Sequence, residues 1–192
     1  MDITKKKDTI DFMDKITDST TRQQLIEKLK DIFLFRYLND NARATLGEHV
    51  DFFKLQQEEL IVTEGEKSPY FFVVMEGSVN VTTGSDEKTV FLGCLGAGEV
   101  FGEAAVFLKM PRTATVSSAD ETIIMQLHRD QFVEFVRRLP RAGNTVLLVM
   151  IHSLLRKLRD TNQELAFERK LDSDQGDIDA MIAGFMDGDE DI

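Results

Sequence analysis

Cysteine is nearly absent: Cys94 is the only one in 192 residues. A lone thiol closes no internal disulfide and builds no thiolate metal site, which fits a reducing compartment. Cys94 is expected as a small buried apolar residue in a strand. Long apolar runs are missing as well. No stretch of about eighteen uncharged apolar residues occurs, and the lysines of MDITKKKDTIDF are not followed by the apolar segment of a signal peptide. A soluble cytoplasmic protein with no membrane partner is therefore expected. Positive charge is also scarce, with 23 Lys and Arg against 34 Asp and Glu. Eight of the acidic residues fall after Lys170 with no Lys or Arg among them, which leaves the rest of the chain near balance. Neither part offers the basic surface that a phosphate backbone requires, so nucleic acid is not an expected partner. The three histidines, His49, His128 and His152, are scattered. They form no Ser-His-Asp set and show no metal-ligand spacing, so neither a metal nor a catalytic site is expected.

What is present separates by periodicity. Residues 1–48 read as a helical segment: Ser19, Thr20 and Thr21 can cap TRQQLIEKLKDIF, and Asn39 or Asp40 can cap ARATLGEHV. Over 49–140 the pattern changes to short runs rich in Val, Ile, Phe and Thr, namely DFFKL, ELIVT, YFFVVM, SVNVTT, KTVFLGCL, ATVSS and TIIMQL. Gly65, Ser68-Pro69, Gly77, Gly84 and Gly98 punctuate them. Many short strands at that spacing predict an antiparallel β jelly roll, and RDQFVEFVRRL predicts a helix after it. A long helix is expected over 141–170, followed by an acidic tail over 171–192. The fold class is thus α+β, a jelly roll with N-terminal helices and a long C-terminal helix. In that helix Ile151, Leu154, Leu158, Thr161 and Leu165 alternate steps of three and four, the seam of a two-stranded coiled coil, so a homodimer is expected. Leu147, Leu148, Met150 and Leu155 are expected to lie on the chain's own barrel.

The stretch FGEAAVFLKMPRTATV, residues 101–116, carries the chemistry. Gly102 permits a backbone shape closed to other residues, and Glu103–Leu108 can form a short helix whose first N–H groups lack internal partners. Such amides attract an anion, and Arg112, brought back after Pro111, adds a forked cation suited to phosphate. Glu103 is then free to accept from a sugar hydroxyl instead of pairing with Arg112. A phosphate clamp and a ribose acceptor within ten residues describe a nucleotide site.

These residues resemble the phosphate-binding cassette of the cyclic nucleotide-binding domains of catabolite-activator and protein-kinase-regulatory type. Gly65 and Gly77 in TEGEKSPYFFVVMEGSVNV, the leading helix with LFRYL, and LGAGEVFGE extend the resemblance over about residues 30–168. It implies that Glu103 accepts from the ribose 2′-OH in a loop shaped by Gly102. It implies further that Arg112 holds the cyclic phosphate with the amides near Ala104 and Ala105 and with Thr113. Thr161 and Asn162, in RKLRDTNQEL, resemble the segment that reaches the purine. Thr113 accompanies cGMP preference in many members, while the place of Thr161 in the seam tilts the expectation toward cAMP; the ligand is cAMP or cGMP.

Relatives that regulate transcription continue into a helix-turn-helix, whereas here an acidic stretch follows the helix. In DSDQGDIDAMIAGFMDGDEDI, Ile178, Met181, Ile182 and Phe185 share one helical face, and DQGDIDAMIAG is similar to the motif by which flagellar switch proteins engage a receiver domain. The expectation is a non-catalytic sensor that passes nucleotide occupancy through its C-terminal helix and tail to a protein partner. A dimeric scaffold with an empty pocket and a cyclic dinucleotide receptor are its rivals.

Overall fold

The computed structural model describes residues 13–84 and 88–186, with the side chains of 105, 106, 164 and 166–186 left aside. The chain divides into two units, residues 1–147 and 148–192.

In the first unit two antiparallel sheets face each other. One runs β1 (Asp14–Lys15), β2 (Val50–Leu55), β9 (Thr122–His128), β4 (Tyr70–Glu76), β7 (Val100–Phe101). The other runs β3 (Leu60–Val62), β8 (Thr115–Ser118), β5 (Ser78–Thr83), β6 (Val90–Gly96). Alternation sets the layers. Phe53, Leu55, Phe72, Val74 and Ile124 turn inward to meet Ile61, Val62, Val79 and Val116 of the second sheet. Their alternates Phe52, Phe71, Val73, Met125 and Leu127 are also buried, on the opposite face. There Phe71 packs edge-on against Phe132 of α4 (Arg129–Arg138), with ring centroids 5.5 Å apart. A sheet apolar on both faces needs a helical layer outside it, and that need accounts for the continuous apolar run YFFVVM.

Every strand read from the sequence has its counterpart, and α1 (Ser19–Lys28), α2 (Asp40–Gly47) and α3 (Glu103–Leu108) complete the unit. Several details differ from expectation. The cap of α1 is Asp18, whose carboxylate accepts from the Thr21 amide at 2.7 Å; an ionised acceptor outcompetes the hydroxyls that follow it. Asn39 caps α2 as expected, through a 2.9 Å bond from the Ala42 amide. The LFRYL stretch is a series of tight turns, closed by bonds from Phe35 to the Ile32 carbonyl and from Leu38 to the Phe35 carbonyl, and not a helix. Its buried Leu34, Phe35 and Leu38 fall at spacings a turn series serves as well as a helix does. Cys94 lies in a strand but is exposed, because β6 is the edge of its sheet and its first three residues are exposed too. The two-residue strands β1 and β7 were not foreseen; two residues carry no periodicity.

In α5 (Pro140–Met186) the helical backbone continues past the expected boundary at 170. Of the four residues expected to lie on the barrel, Met150 is buried and Leu147 half-buried, while Leu148 and Leu155 are exposed. Ile178, Met181, Ile182 and Phe185 fall on helical backbone, and their side chains lie outside the described residues. Among the described residues no helix is long and apolar enough to cross a membrane.

At the turn between β8 and β9, Asp120 accepts from the Ser78 amide at 2.9 Å and the Thr122 hydroxyl at 3.0 Å, bonds that hold its carboxyl below its ordinary value of 3.8. A depressed carboxyl stabilises the fold above its unfolded pKa, and that contribution disappears as pH falls through the folded value. Urea melts across pH are expected to show Asp120→Asn less stable than wild type at neutral pH, with the two curves converging once the pH is below the carboxylate range.

Candidate functional site

The loop from β7 through α3 to β8 is built around one buried cation. Gly102 caps α3 with φ 77 and ψ 7, in the left-handed region where a side chain is strained. Lys109 ends the helix with φ 53, so the chain turns sharply at both ends of a single short helix and returns through Pro111 to Arg112. Arg112 is only 5% exposed. Its Nη1 donates to the Gly102 carbonyl at 3.1 Å, and its Nη2 to the Tyr70 carbonyl at 2.7 Å and to Ser68 Oγ at 3.1 Å. The guanidinium lies 5.5 Å from the centre of the Phe72 ring, which stacks in turn on Phe101 at 5.1 Å. Its Nε is buried and has no hydrogen-bond partner.

The backbone of Arg112 is fixed as firmly as its side chain. Its amide donates to the Glu66 carbonyl and its carbonyl accepts from the Gly65 amide, both at 2.8 Å. The β3–β4 turn, with Gly65 at φ 79, is thereby laced to the exit of the loop. Gly102 is bound to Arg112 by volume as well: a Cβ there would sit 2.3 Å from Nη1.

Burial pulls the Arg112 guanidinium below its ordinary value, against the pull of Glu66 and, after it, Glu103. An arginine so placed keeps its proton, and its three bonded acceptors are neutral, so the site retains a positive charge in a low-dielectric setting. Such a site favours an anion that can reach the guanidinium.

Gly102, Glu103, Ala104, Ala105, Arg112 and Thr113 thus fall on one continuous loop, with Glu103 and Ala104 half-buried and Thr113 exposed. Thr161 and Asn162 are exposed and belong to the second unit. Ser68, Tyr70 and Phe72, which hold the arginine, were not read from the sequence. Two of them act through a carbonyl or a ring face in residues chosen for strand packing, and Ser68 was legible only as part of a turn. The histidines serve structure where their contacts are defined: His128 Nδ1 accepts from the Asp130 amide at 3.1 Å and caps α4. Among the described residues no group of three or more His, Cys, Asp or Glu could hold a metal ion.

Replacement of Gly102 by Ala is expected to cost about 1–3 kcal/mol, since a non-glycine residue is strained there and the new methyl displaces the guanidinium. Chemical denaturation measures it; a loss below that range would show that the loop yields easily.

A family model described as the cyclic nucleotide-binding domain matches residues 52–138. Among curated proteins, the cAMP-dependent protein kinase regulatory subunits of Mycosarcoma maydis and Candida albicans are each 31% identical, over 117 and 127 residues. These segments are 60% and 65% of this chain but 22% and 27% of those proteins, so the chain spans about a quarter of the length of the relatives it matches. Among solved structures, a cyclic nucleotide-binding domain from Methylobacillus flagellatus superimposes with a TM-score of 0.64 at 23% identity, over 73% of this chain and 80% of that one. The regulatory domain of Toxoplasma gondii protein kinase A, crystallised with cAMP, gives 0.53 at 27% identity over 62% and 46%.

Proposed function

From the premise that residues 52–138 are a cyclic nucleotide-binding domain, we propose that this chain senses a cyclic purine mononucleotide and relays its occupancy to a protein partner. The observation that carries the reading is the buried Arg112, held by neutral acceptors with Nε unpartnered, at the end of a loop that Gly102 shapes. In this reading the cyclic phosphate meets Arg112, the amides of Ala104 and Ala105, and Thr113. The ribose 2′-OH donates to Glu103. Thr161 and Asn162 are the polar side chains of α5 offered to the purine, and cAMP is favoured slightly over cGMP. The match to regulatory subunits supports binding without catalysis.

Output runs through α5 and the acidic stretch that follows Lys170. The chain acts as a homodimer, and the purine contacts α5 residues in only one arrangement of that helix, which is the differential contact that coupling requires. Ile178, Met181, Ile182 and Phe185 are the residues assigned to docking on a receiver domain or similar partner.

Calorimetric titration with cAMP, cGMP and cyclic dinucleotides tests the pocket. One mononucleotide is expected to bind, and Arg112→Ala to weaken it by about 2–5 kcal/mol through loss of a buried charge partner. Glu103→Ala, which leaves Arg112 seated, is expected to weaken binding by about 0.5–1.5 kcal/mol. Unchanged affinity in both variants overturns the assignment, and binding of a dinucleotide alone replaces the ligand. For the tail, removal of residues 172–192 is expected to leave nucleotide affinity intact while abolishing capture of a receiver-domain partner; equal capture by the truncated chain refutes that role.

A further inference from the structure

Among the described residues three buried side-chain nitrogens have no hydrogen-bond partner: His49 Nε2, Arg112 Nε and Gln126 Nε2. A neutral histidine can leave one ring nitrogen without a proton, but an arginine Nε and a carboxamide nitrogen always carry donors. Two stranded donors thus remain, and both neighbour one ring. The Arg112 guanidinium lies 5.5 Å from the centre of the Phe72 ring. Gln126 is the cross-strand partner of Phe72 in the ladder between β4 and β9, so their side chains leave the sheet on the same face.

That face is the inner one. Phe72 and Ile124, two residues before Gln126 in β9, both belong to the core between the sheets. Gln126 is 4% exposed there, in a row where an aliphatic side chain would pack at no polar cost. Its other ladder partner is Asp51 of β2, whose carboxylate is engaged by Lys15 at 2.9 Å and leaves Gln126 Nε2 unanswered. The acceptor that would serve both donors is an oxygen, and an anionic one suits them best, because the acceptors that bond the guanidinium are all neutral.

We propose that Gln126 is a ligand-contacting residue of the nucleotide site, its carboxamide N–H donating to an exocyclic oxygen of the cyclic phosphate that Arg112 holds. The proposal rests on the nucleotide reading above and deepens it. The amides of Ala104 and Ala105 then serve the other exocyclic oxygen. Two oxygens held by different groups, side chains on one and backbone on the other, let the site distinguish the two faces of the phosphate.

Calorimetric titration of the full chain with cAMP and its two phosphorothioate diastereomers tests this, in wild type and in Gln126→Met; the corresponding cGMP set is used if wild type prefers cGMP. Methionine keeps the volume and removes the donor. Thermal melts without nucleotide are expected to find the variant at least as stable as wild type, since a stranded donor is gone. Its affinity for the nucleotide is expected to fall about tenfold. Sulfur is a poor acceptor, so for the diastereomer whose sulfur replaces the oxygen facing Gln126 the substitution is expected to cost less than about twofold, and for the other the full loss. Unchanged affinity for the nucleotide, or an equal loss for both diastereomers, overturns the proposal. A lower melting temperature with unchanged affinity also overturns it and assigns the carboxamide to a buried water. Absence of cAMP and cGMP binding in wild type overturns the sensing reading itself, whereas wild-type binding that Gln126→Met does not alter overturns the Gln126 assignment alone.

Discussion

The seating of Arg112 ties together parts of the chain that are far apart in sequence. Its guanidinium joins Gly102, at the mouth of α3, to Ser68 and Tyr70 at the start of β4, while its own backbone bonds reach Gly65 and Glu66. A buried cation is costly unless each donor finds an acceptor, and here the acceptors are mainly carbonyls whose positions the sheets dictate. The seat of the arginine therefore depends on the sandwich. Once seated, the arginine fixes where the loop lies, and Phe72 and Phe101 close the space beneath it.

Gly102 shows how tightly this is drawn. Its positive φ alone favours glycine, and a Cβ there would also displace a guanidinium nitrogen of Arg112 from its seat. Two constraints acting on one residue explain why Gly-Glu followed by Pro-Arg-Thr reads as a unit in the sequence. The first supplies the turn, and the last supplies the cation that fills the space the turn leaves.

The double sheet was legible because seven strands have enough residues to show alternation or a continuous apolar run, and because Gly65, Gly77 and Gly84, all at positive φ, mark the breaks between them. The loop was legible because glycine, proline and arginine are side-chain identities. What escaped depends on surroundings instead. Cys94 reads as buried from its apolar neighbours Phe91, Leu92 and Leu95, but an edge strand has no partner on one side and its residues stand open. Asp18 caps α1 one residue before the hydroxyls that were expected to, because charge strengthens an acceptor in a way that residue spacing does not record.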